Sequence, residues 1–477
     1  MRKPFALMSA LMLSACVATP PTDPQVKPVE PADLGLAGAP APQADADWWK
    51  VFRDPQVDRL AQQVMTANPT LTAALARMRA AQAALAASHT QDLPQLSLDG
   101  NDQRTLFSKN YIIPPPYAGT WHWYGTLGAD LSWNLDFWGK QADLIARARY
   151  TADAMALDVA AARLALSGSF AQTYLDLLLN YQYGDIADEA VAERSEILKI
   201  TQGRFDAGLE NGSALAQAKV LLAQAKADQL RYAAARAADV HALAALAGEG
   251  ANAYDAIMRP APDLAVRLPL PDKLPADLLS RRPDVLAAKA RVLAAIQGRD
   301  AARASFFPDI NLTAMAGFQS LGLANLITGN SFTTGVGPAI HLPIFDAGRL
   351  KAQYASATAD LDGAVADYNG AVVNAIQQTA DAMTQVKSLD GQIAQQREAV
   401  VNAQKAFQIA EDRYRGGLDT QLPMLSTQAM LLQARSGLAA LMCASTRQRI
   451  TLLLTVGGSF TPSPDTTQIA DKDMHHD

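Results

Sequence analysis

The stretch from Trp121 to Phe137 alternates between apolar and polar side chains over its whole length. Its odd positions hold mainly tryptophan, leucine and other apolar residues, and its even positions hold mainly hydroxyl, amide and acidic residues. Because side chains alternate across a strand, the pattern predicts one apolar, aromatic face and one polar face. The stretch is much longer than the ~5–6 residues usual for a strand of a soluble domain. Taken alone, it fits a strand of a membrane barrel and a half-buried strand of a soluble sheet about equally well.

Charge and composition exclude one broad class of partner. The chain has 477 residues, a formal net charge of −6 and no run rich in lysine or arginine, which argues against nucleic-acid binding. Charged residues make up 18% of the chain, below the ~25% of a typical soluble protein. Alanine is very frequent, which favours long helices that approach one another closely.

The first residues have the pattern of a targeting segment. Arg2 and Lys3 precede an apolar run from Phe5 to Leu13, which is too short to span a bilayer as a mature helix. The run ends in Leu13-Ser14-Ala15-Cys16, which resembles the bacterial lipoprotein box, so residues 1–15 are predicted to be removed and Cys16 to be lipidated. The alternative is an ordinary signal peptide with an incidental cysteine.

The only other cysteine is Cys443, in an apolar helical context that predicts a small buried side chain. With Cys16 lipidated, no intrachain disulfide can form. Residues 16–45 are rich in proline, alanine and acids and are predicted to form an extended leader.

The chain contains an internal duplication. Pro69 and Pro283, each after a polar residue and at the start of a helical run, are separated by 214 positions. Further along, Arg204, Gly208 and Leu209 match Arg413, Gly417 and Leu418 at a constant offset of 209. We therefore predict two repeats, at 46–248 and 275–460, joined by an equatorial linker at 249–274 and followed by a polar tail at 461–477.

Each repeat is predicted to contain a helix, two strands, a long helix and a shorter helix. The helices are predicted near 55–88, 139–203, 213–248, 275–305, 348–413 and 420–456, and the strands near 95–107, 121–137, 309–320 and 332–345.

Counting these elements constrains the assembly. Four strands cannot close a membrane barrel, for which about eight are the minimum, and open strand edges are not tolerated in lipid. If the strands cross a membrane, several chains must therefore share one barrel. Each long helix would span about 100 Å, and two shorter helices end to end would match that length. Such columns form a tunnel wall, whereas a soluble helical bundle has no use for the paired hairpins.

An ordered set of short motifs resembles the TolC-like outer-membrane factors, and more narrowly the lipoprotein branch attached to resistance–nodulation–division efflux systems. The set comprises the lipoprotein box, Trp48-Trp49 to Asp54-Pro55, Leu274-Pro275 to Arg282-Pro283-Asp284, and the doubled Arg-aromatic-x-x-Gly-Leu. The resemblance covers essentially all of 46–460. It implies an α+β membrane protein: a homotrimer with a twelve-stranded β-barrel, four strands from each chain. A long α-helical barrel would continue it into the periplasm.

The resemblance also implies partners and a mode of action. A periplasmic adaptor and an inner-membrane proton-driven pump would feed a passive channel that exports small toxic compounds and uses no cofactor. An outer-membrane channel for protein or peptide secretion is the alternative, and a non-conducting structural lipoprotein is a third possibility. We find no catalytic constellation, metal-ligand spacing or phosphate loop, so an enzyme is the least favoured class.

The two glycine-containing turns after the long helices are the predicted adaptor-contact tip. In the family that the chain resembles, these turns meet the adaptor, which would assign that contact to Arg204, Gly208, Leu209, Arg413, Gly417 and Leu418. Glycine at a helix end adopts the left-handed cap conformation at little cost, so a purely structural turn also explains the pattern.

The resemblance places a gate just after the second turn. The family's apolar gate position falls on Leu422, its acidic-ring position on Ser426 and its arginine position on Ala429. The acidic ring is thus absent, although Asp419 lies one turn away and could replace it weakly. We predict a gate closed mainly by apolar contact. On the strand, Asp130 and Asp136 are predicted to face the lumen, either favouring cations or as solvated acids without selectivity.

Overall fold

The computed structural model describes residues 22–29, 34–36, 39–110, 112–264, 268, 270–271, 273–461 and 469. Cys16 and the predicted signal peptide lie outside the described residues, as does most of the polar tail.

Six elements form the first half of the fold in the order helix, helix, strand, strand, helix, helix. They are α1 (Pro55–Ala67), α2 (Pro69–Thr90), β1 (Gln95–Leu106), β2 (Trp121–Asn134), α3 (Lys140–Asp206) and α4 (Gly212–Leu246). The second half repeats this order with α5 (Leu278–Arg281), α6 (Pro283–Ala304), β3 (Asp309–Leu321), β4 (Phe332–His341), α7 (Arg349–Arg415) and α8 (Gln421–Thr455).

The prolines divide two segments that the sequence predicted as single helices. The predicted helix 55–88 is interrupted at Asn68, whose extended backbone (φ −62°, ψ 126°) precedes Pro69 and whose side chain caps α2. Arg282 is extended in the same way before Pro283 and interrupts the predicted helix 275–305. Both interruptions follow from the clash of a proline ring with a helical residue before it. β2 and β4 also end earlier than predicted, at Asn134 and His341.

The four strands form one antiparallel sheet in the order β1-β2-β3-β4. All three strand pairs are continuous: Leu98 lies opposite Ala129, Leu127 opposite Phe318, and Phe318 opposite Phe332. β1 and β4 are therefore the two edges of the sheet in a single chain.

Two helices of 67 residues, α3 and α7, run the length of the helical region, about 100 Å each. α2 packs on the part of α3 nearest the sheet, where Gln141 Nε2 donates to the carbonyl of Ser88 (2.9 Å). α4 packs on the far part of α3, where Arg194 donates to the carbonyl of Leu221 (2.8 Å). α6 and α8 divide the space between α3 and α7 in the same way. The helices are thus ordered α2-α3-α6-α7 near the sheet, the membrane half, and α4-α3-α8-α7 at the far end, the tip half.

The largest apolar core lies at mid-height, where short 3₁₀ segments pack against the middle of α3. Trp48, Trp49 and Phe52 are buried there with Phe170 and Tyr174. The Tyr174 hydroxyl donates to the carboxylate of Asp54 (2.6 Å), which also accepts from the backbone of Ala261 (3.0 Å). This belt joins 39–54 and 251–264 to the helices. Cys443 is buried in the same core, as the sequence predicted.

Candidate functional site: the two faces of the sheet and the helical tip

The strand register gathers the apolar residues of all four strands on one face, the apolar face of the sheet. Leu98, Ala129, Ala316 and Thr334 lie in one row across it, and Leu96, Leu131, Ala314 and Val336 in the next. The alternation read from Trp121 onward therefore continues on the neighbouring strands, except that Asp102 and Arg104 of β1 lie on this face, opposite Gly125 and Trp123.

The apolar face lies open in the single chain. Leu96 is 72% exposed, Trp123 51% and Val336 79%, and the described part of the chain places no helix over them. A half-buried strand of a soluble sheet would need such a cover, so the open face favours a strand of a membrane barrel. Trp123 and Trp133 lie ten residues apart on β2, about 33 Å along the strand and, at a tilt of ~40°, about 25 Å along a barrel axis. That height matches the apolar band of an outer-membrane barrel.

The opposite face of the sheet is polar. Asp130 lies opposite Ser97, and Ser132 accepts a hydrogen bond from the amide of Asn311 (2.8 Å). Asn134 bonds to Asp309 (2.8 Å). This face would line the interior of a closed barrel.

Asp136 does not belong to the polar face, contrary to the sequence-based prediction. β2 ends at Asn134, and the carboxylate of Asp136 accepts a hydrogen bond from the backbone N–H of Ala142 (2.8 Å) in the first turn of α3. A carboxylate there satisfies an otherwise unpaired helix N–H and is favoured by the helix dipole.

One described helix, α3, is long and apolar enough to cross a membrane by length and composition alone. It is more than twice as long as a bilayer core requires. Its apolar residues contact α2, α4, α6 and α8 of the same chain, so its composition is explained by packing within the helical wall.

The two predicted tip turns have the same backbone geometry. At the end of α3, the N–H of Leu209 donates to the carbonyl of Arg204 (2.8 Å), and at the end of α7 the N–H of Leu418 donates to the carbonyl of Arg413 (2.8 Å). Gly208 and Gly417 adopt positive φ values of 73° and 71°. These are Schellman caps, which reverse the chain and satisfy the last carbonyls of each long helix.

Each turn carries an ion pair at the same relative position. Arg204 Nε lies 3.5 Å from the carboxylate of Glu210, and Arg413 Nε lies 3.2 Å from that of Asp419. The Arg204 guanidinium also lies 5.3 Å from the centre of the buried Tyr414 ring, in the other turn. Both arginines are therefore bound within the tip.

The leucines of the two turns point into solvent. Leu209 is 69% exposed and Leu418 is 75% exposed, so each turn presents one apolar side chain at the end of the molecule. Of the six predicted tip residues, the structure brings all into two adjacent turns, with the leucines free to contact another protein, the glycines shaping the backbone and the arginines paired.

The predicted gate residues lie together on one side of α8. Leu422 is 61% exposed, and Ser426 and Ala429 follow it on the same exposed side, whereas Met424 is buried against the rest of the chain. Asp419 is not free to replace an acidic ring, because it pairs with Arg413 and accepts a hydrogen bond from the backbone of Thr420 (2.8 Å).

Sequence reasoning missed the polar contacts that join α8 to α3. Gln421 donates to Thr201 (2.7 Å), Gln428 donates to Glu193 (2.6 Å) and Arg435 donates to Glu189 (2.7 Å). The three α8 side chains are spaced seven residues apart. This seven-residue spacing, which keeps the three polar side chains on one side of α8, was the signal that could have predicted them.

Burial raises the pKa of the Glu193 carboxyl, and the nearby Glu189 and Glu411 carboxylates act in the same direction. The hydrogen bond from Gln428 and the charge of Arg435 oppose that shift. Burial also raises the pKa of the Cys443 thiol to about 11. Within the described ranges, no group of three or more histidine, cysteine, aspartate or glutamate residues is arranged to hold a metal ion.

Comparison with known proteins places the chain. The sequence profile of the outer membrane efflux protein family matches residues 60–249 and 274–458. The chain is 37% identical to the fusaric acid resistance protein FusA of Burkholderia cepacia over 74% of this chain and 68% of that protein. It is 28% identical to the toluene efflux pump outer membrane protein TtgC of Pseudomonas putida over 92% of this chain and 89% of that protein.

A solved structure has the same fold. The outer membrane protein VceC of Vibrio cholerae superposes with a TM-score of 0.82 and 32% sequence identity, covering 88% of this chain and all of that chain. The four-stranded sheet and the long helical wall are thus shared with an outer-membrane protein of known structure. The chain belongs to the outer membrane efflux protein family.

Proposed function

We propose that this protein is the outer-membrane channel of a tripartite efflux pump and that it exports small toxic organic compounds. The observation that carries the proposal is the four-stranded sheet with an uncovered apolar face, continuous with helices about 100 Å long. The names of the relatives, which include a multidrug resistance protein and a toluene efflux protein, favour small compounds over proteins as cargo. The channel is passive and carries out no catalysis.

The working unit is a homotrimer. One chain leaves the edges β1 and β4 unpaired, and unpaired backbone groups are not tolerated in lipid. Three chains would supply twelve strands, which suffices to close a barrel around the polar face.

A periplasmic adaptor binds at the tip, and an inner-membrane pump supplies the cargo through it. Leu209 and Leu418 support this proposal, because two exposed leucines at the end of a rod are accessible to a partner. Arg204 and Arg413 contribute mainly by holding the turns in shape.

The tip is closed by apolar contact between copies of Leu422, with Ser426 in place of an acidic ring. Leu422 is exposed in the single chain, and the nearest acid, Asp419, is already paired. A gate of this kind depends little on cations.

Cys16 carries a lipid anchor. The leader runs along α7 with its backbone held by side chains: Asp362 accepts from the N–H of Gln25 (2.8 Å), and Asn369 donates to the carbonyl of Lys27 (2.9 Å). Near the sheet, the carbonyl of Thr22 accepts a hydrogen bond from the guanidinium of Arg299 (3.3 Å), which lies close to the C-terminal end of α6. Five residues separate Cys16 from Thr22, and the six steps between these two Cα atoms could span about 20 Å in the direction of the membrane.

Deletion and complementation test the function. A strain lacking this protein should become sensitive to apolar toxic compounds and recover with the wild-type gene, while its secreted proteins stay unchanged. Loss of a secreted protein without a change in compound sensitivity would overturn the cargo assignment. Purified protein in planar bilayers should show single-channel current, and a protein without current would be a spacer. Labelled palmitate should be incorporated into the wild type and not into Cys16→Ser.

A further inference from the structure

The protomer has one helical edge formed by α2 and α4 and another formed by α7. Among the long helices of the described part of the chain, α2 and α4 pack mainly on α3, and α7 packs mainly on α6 and α8. The leader and the short α5 also lie against α7. The sheet has the same polarity, since β1 follows α2 and β4 precedes α7. α7 runs antiparallel to both α2 and α4, because it descends from the sheet to the tip while they ascend.

We propose that α7 of one protomer packs against α2 and α4 of a second copy of this chain in a register set by three residue pairs. The pairs are Val220 with Ile409, Leu230 with Val401, and Arg77 with Asp360. The proposal rests on the homotrimer proposed above and adds to it the residues that align neighbouring chains.

In the tip half, five hydrogen bonds within the protomer mark equal heights on successive helices: Arg194 to Leu221, Gln229 to Asp188, Gln428 to Glu193, and Arg435 to both Glu189 and Gln404. When the heights are transferred from α4 through α3 and α8 to α7, Val220 of α4 lies within about one helical turn of the height of Ile409 of α7. They place Leu230 within about one turn of Val401 in the same way.

These four side chains are the largest apolar groups exposed on the tip-half edges. Val220 is 54% exposed and Leu230 71% on one edge, and Val401 is 53% exposed and Ile409 62% on the other. Their spacings also agree: ten residues separate the first two and eight the second two, about 15 Å and about 12 Å along a helix. Packing them together would remove both apolar pairs from water.

The pairs also lie on matching sides of their helices. Val220 follows the buried Ala218 by two residues, and Ile409 follows the buried Phe407 by two. Leu230 comes one residue after Gln229, whose side chain bonds to α3. Val401 comes one residue after Val400, which is half-buried. Antiparallel neighbours in a wall are related by a local two-fold axis. Two side chains that follow the buried residues of their own helix by the same number of residues therefore lie on the same face of the wall.

In the membrane half the matching pair is charged. Three contacts mark the heights there: Gln141 to Ser88 (2.9 Å), the Arg147 side chain beside Gly298, and Arg299 over the Tyr354 ring (5.3 Å). They place Arg77 of α2 level, within about one to two turns, with Asp360 of α7. Both side chains are on exposed residues, and neither forms an ion pair among the described residues.

The side of the helix distinguishes Arg77 from Arg79. Arg77 immediately precedes the half-buried Met78, and Asp360 immediately precedes the buried Leu361, so the two share a face of the wall. Arg79 follows Met78 and lies on the other face. α2 contains no acid that could compete for Arg77.

Cysteine cross-linking of the purified protein in detergent tests the apolar pairs. The double variant Val220→Cys with Ile409→Cys should give covalent dimers and trimers on a non-reducing gel after mild oxidation. The mismatched variant Val220→Cys with Val401→Cys, whose positions differ in height by about 12 Å, should stay monomeric on the gel. Cys443 is buried and should not react. Equal cross-linking of both variants would overturn the register.

Charge reversal tests the ionic pair. Arg77→Asp and Asp360→Arg should each lower the temperature of trimer dissociation by roughly 2–4 °C, and the double variant should recover most of the loss. Arg79→Asp makes the same change at the same height on the other face and should have the smaller effect. No recovery in the double variant, or an equal effect of Arg79→Asp, would overturn the Arg77–Asp360 pair.

Mass measurement of the detergent complex separates this proposal from the proposed function. A trimeric mass without cross-linking of the matched pair would leave the channel proposal intact and reject these seam residues. A monomeric mass would reject the trimer itself. A second protein bound along α7 in place of a neighbouring chain would also abolish cross-linking in the purified sample and would reject the seam.

Discussion

The guanidinium of Arg204 lies 5.3 Å from the centre of the Tyr414 ring, and this contact ties the turn after α3 to the turn after α7. Tyr414 is 1% exposed, so the cation is held against a ring that is shielded from water. Thr201 and Gln421, which are hydrogen-bonded to each other (2.7 Å), lie beside the same ring. This contact therefore couples the two turns of the tip.

Replacing Tyr414 should loosen the tip. Tyr414→Leu removes the cation–π contact, worth about 0.5–1 kcal/mol, and should raise the open-to-closed ratio of single channels roughly two- to five-fold. Tyr414→Phe keeps the ring and should stay close to the wild type in the same bilayer recordings. Equal effects of the two substitutions would show that the hydroxyl, and not the ring, holds the turns together.

Alanine at the tip glycines should act in opposite directions at two nearby positions. Gly208→Ala forces a side chain into the left-handed region (φ 73°) and should destabilise the turn by about 1 kcal/mol. Gly203→Ala lies in the helix interior with open space around its Cβ and should stabilise α3 by about 0.5–1 kcal/mol. Hydrogen exchange of the amides around 203–212 measures both, and a shift in the same direction would contradict this account.

The proposed gate depends on Leu422, and Leu418 provides the control substitution. Leu422→Ser should raise the open fraction of the purified channel by about ten-fold or more, since each leucine buried in a closed trimer contributes about 1.5–3 kcal/mol. Leu418→Ser alters another exposed leucine four residues away and should leave conductance unchanged while weakening adaptor-dependent efflux in cells. An unchanged open fraction in Leu422→Ser would reject the apolar gate.

Glu193 should make the packing of α8 on α3 sensitive to pH. Because burial raises its pKa, the folded state favours the protonated carboxyl, and that contribution is lost as pH rises through the folded-state value. At pH 7 to 8 the charged group lowers stability, so Glu193→Gln should raise the melting temperature there. The difference should close as pH falls below about 4, where the wild-type carboxyl is protonated in both states. Facing groups that also act on it are Glu189, Glu411 and Arg435, and the Gln428 amide remains available to the substituted side chain.

A matched control for that pH series is Glu189→Gln. Glu189 binds Arg435 (2.7 Å) and its side chain is 47% exposed, so its removal should not stabilise the protein at neutral pH. A melting-temperature gain that is equal in the two variants would indicate a general effect of net charge.

The strands and the long helices could be predicted from local patterns because each depends on short-range geometry. The two-residue period after Trp121 required a strand. The prolines at 69 and 283 begin helical runs in both the sequence and the structure, although the predicted helices 55–88 and 275–305 ran through them. The repeated Arg-aromatic-x-x-Gly-Leu located both tip turns, since a glycine with positive φ is a local requirement of the backbone.

The roles of several charged residues could not be predicted in the same way. Asp136 looked like a member of the polar strand face, but it lies beyond the last paired residue and caps α3 instead. Asp419 looked available as a substitute gate charge, but it faces Arg413 across the turn. In both cases the deciding partner is set by where an element ends, which sequence patterns locate only to within a few residues.

The amino-acid sequence by itself determined the strand faces, the duplicated helix–hairpin–helix order and the insufficiency of four strands for a closed barrel, because periodicity and chain length are local quantities. The tertiary structure alone decided which residues share a height and a face, such as Glu193 with Gln428 and Arg204 with Tyr414. These pairs join helices more than 200 positions apart in the chain, and their contacts depend on how whole helices pack and not on the residues beside them.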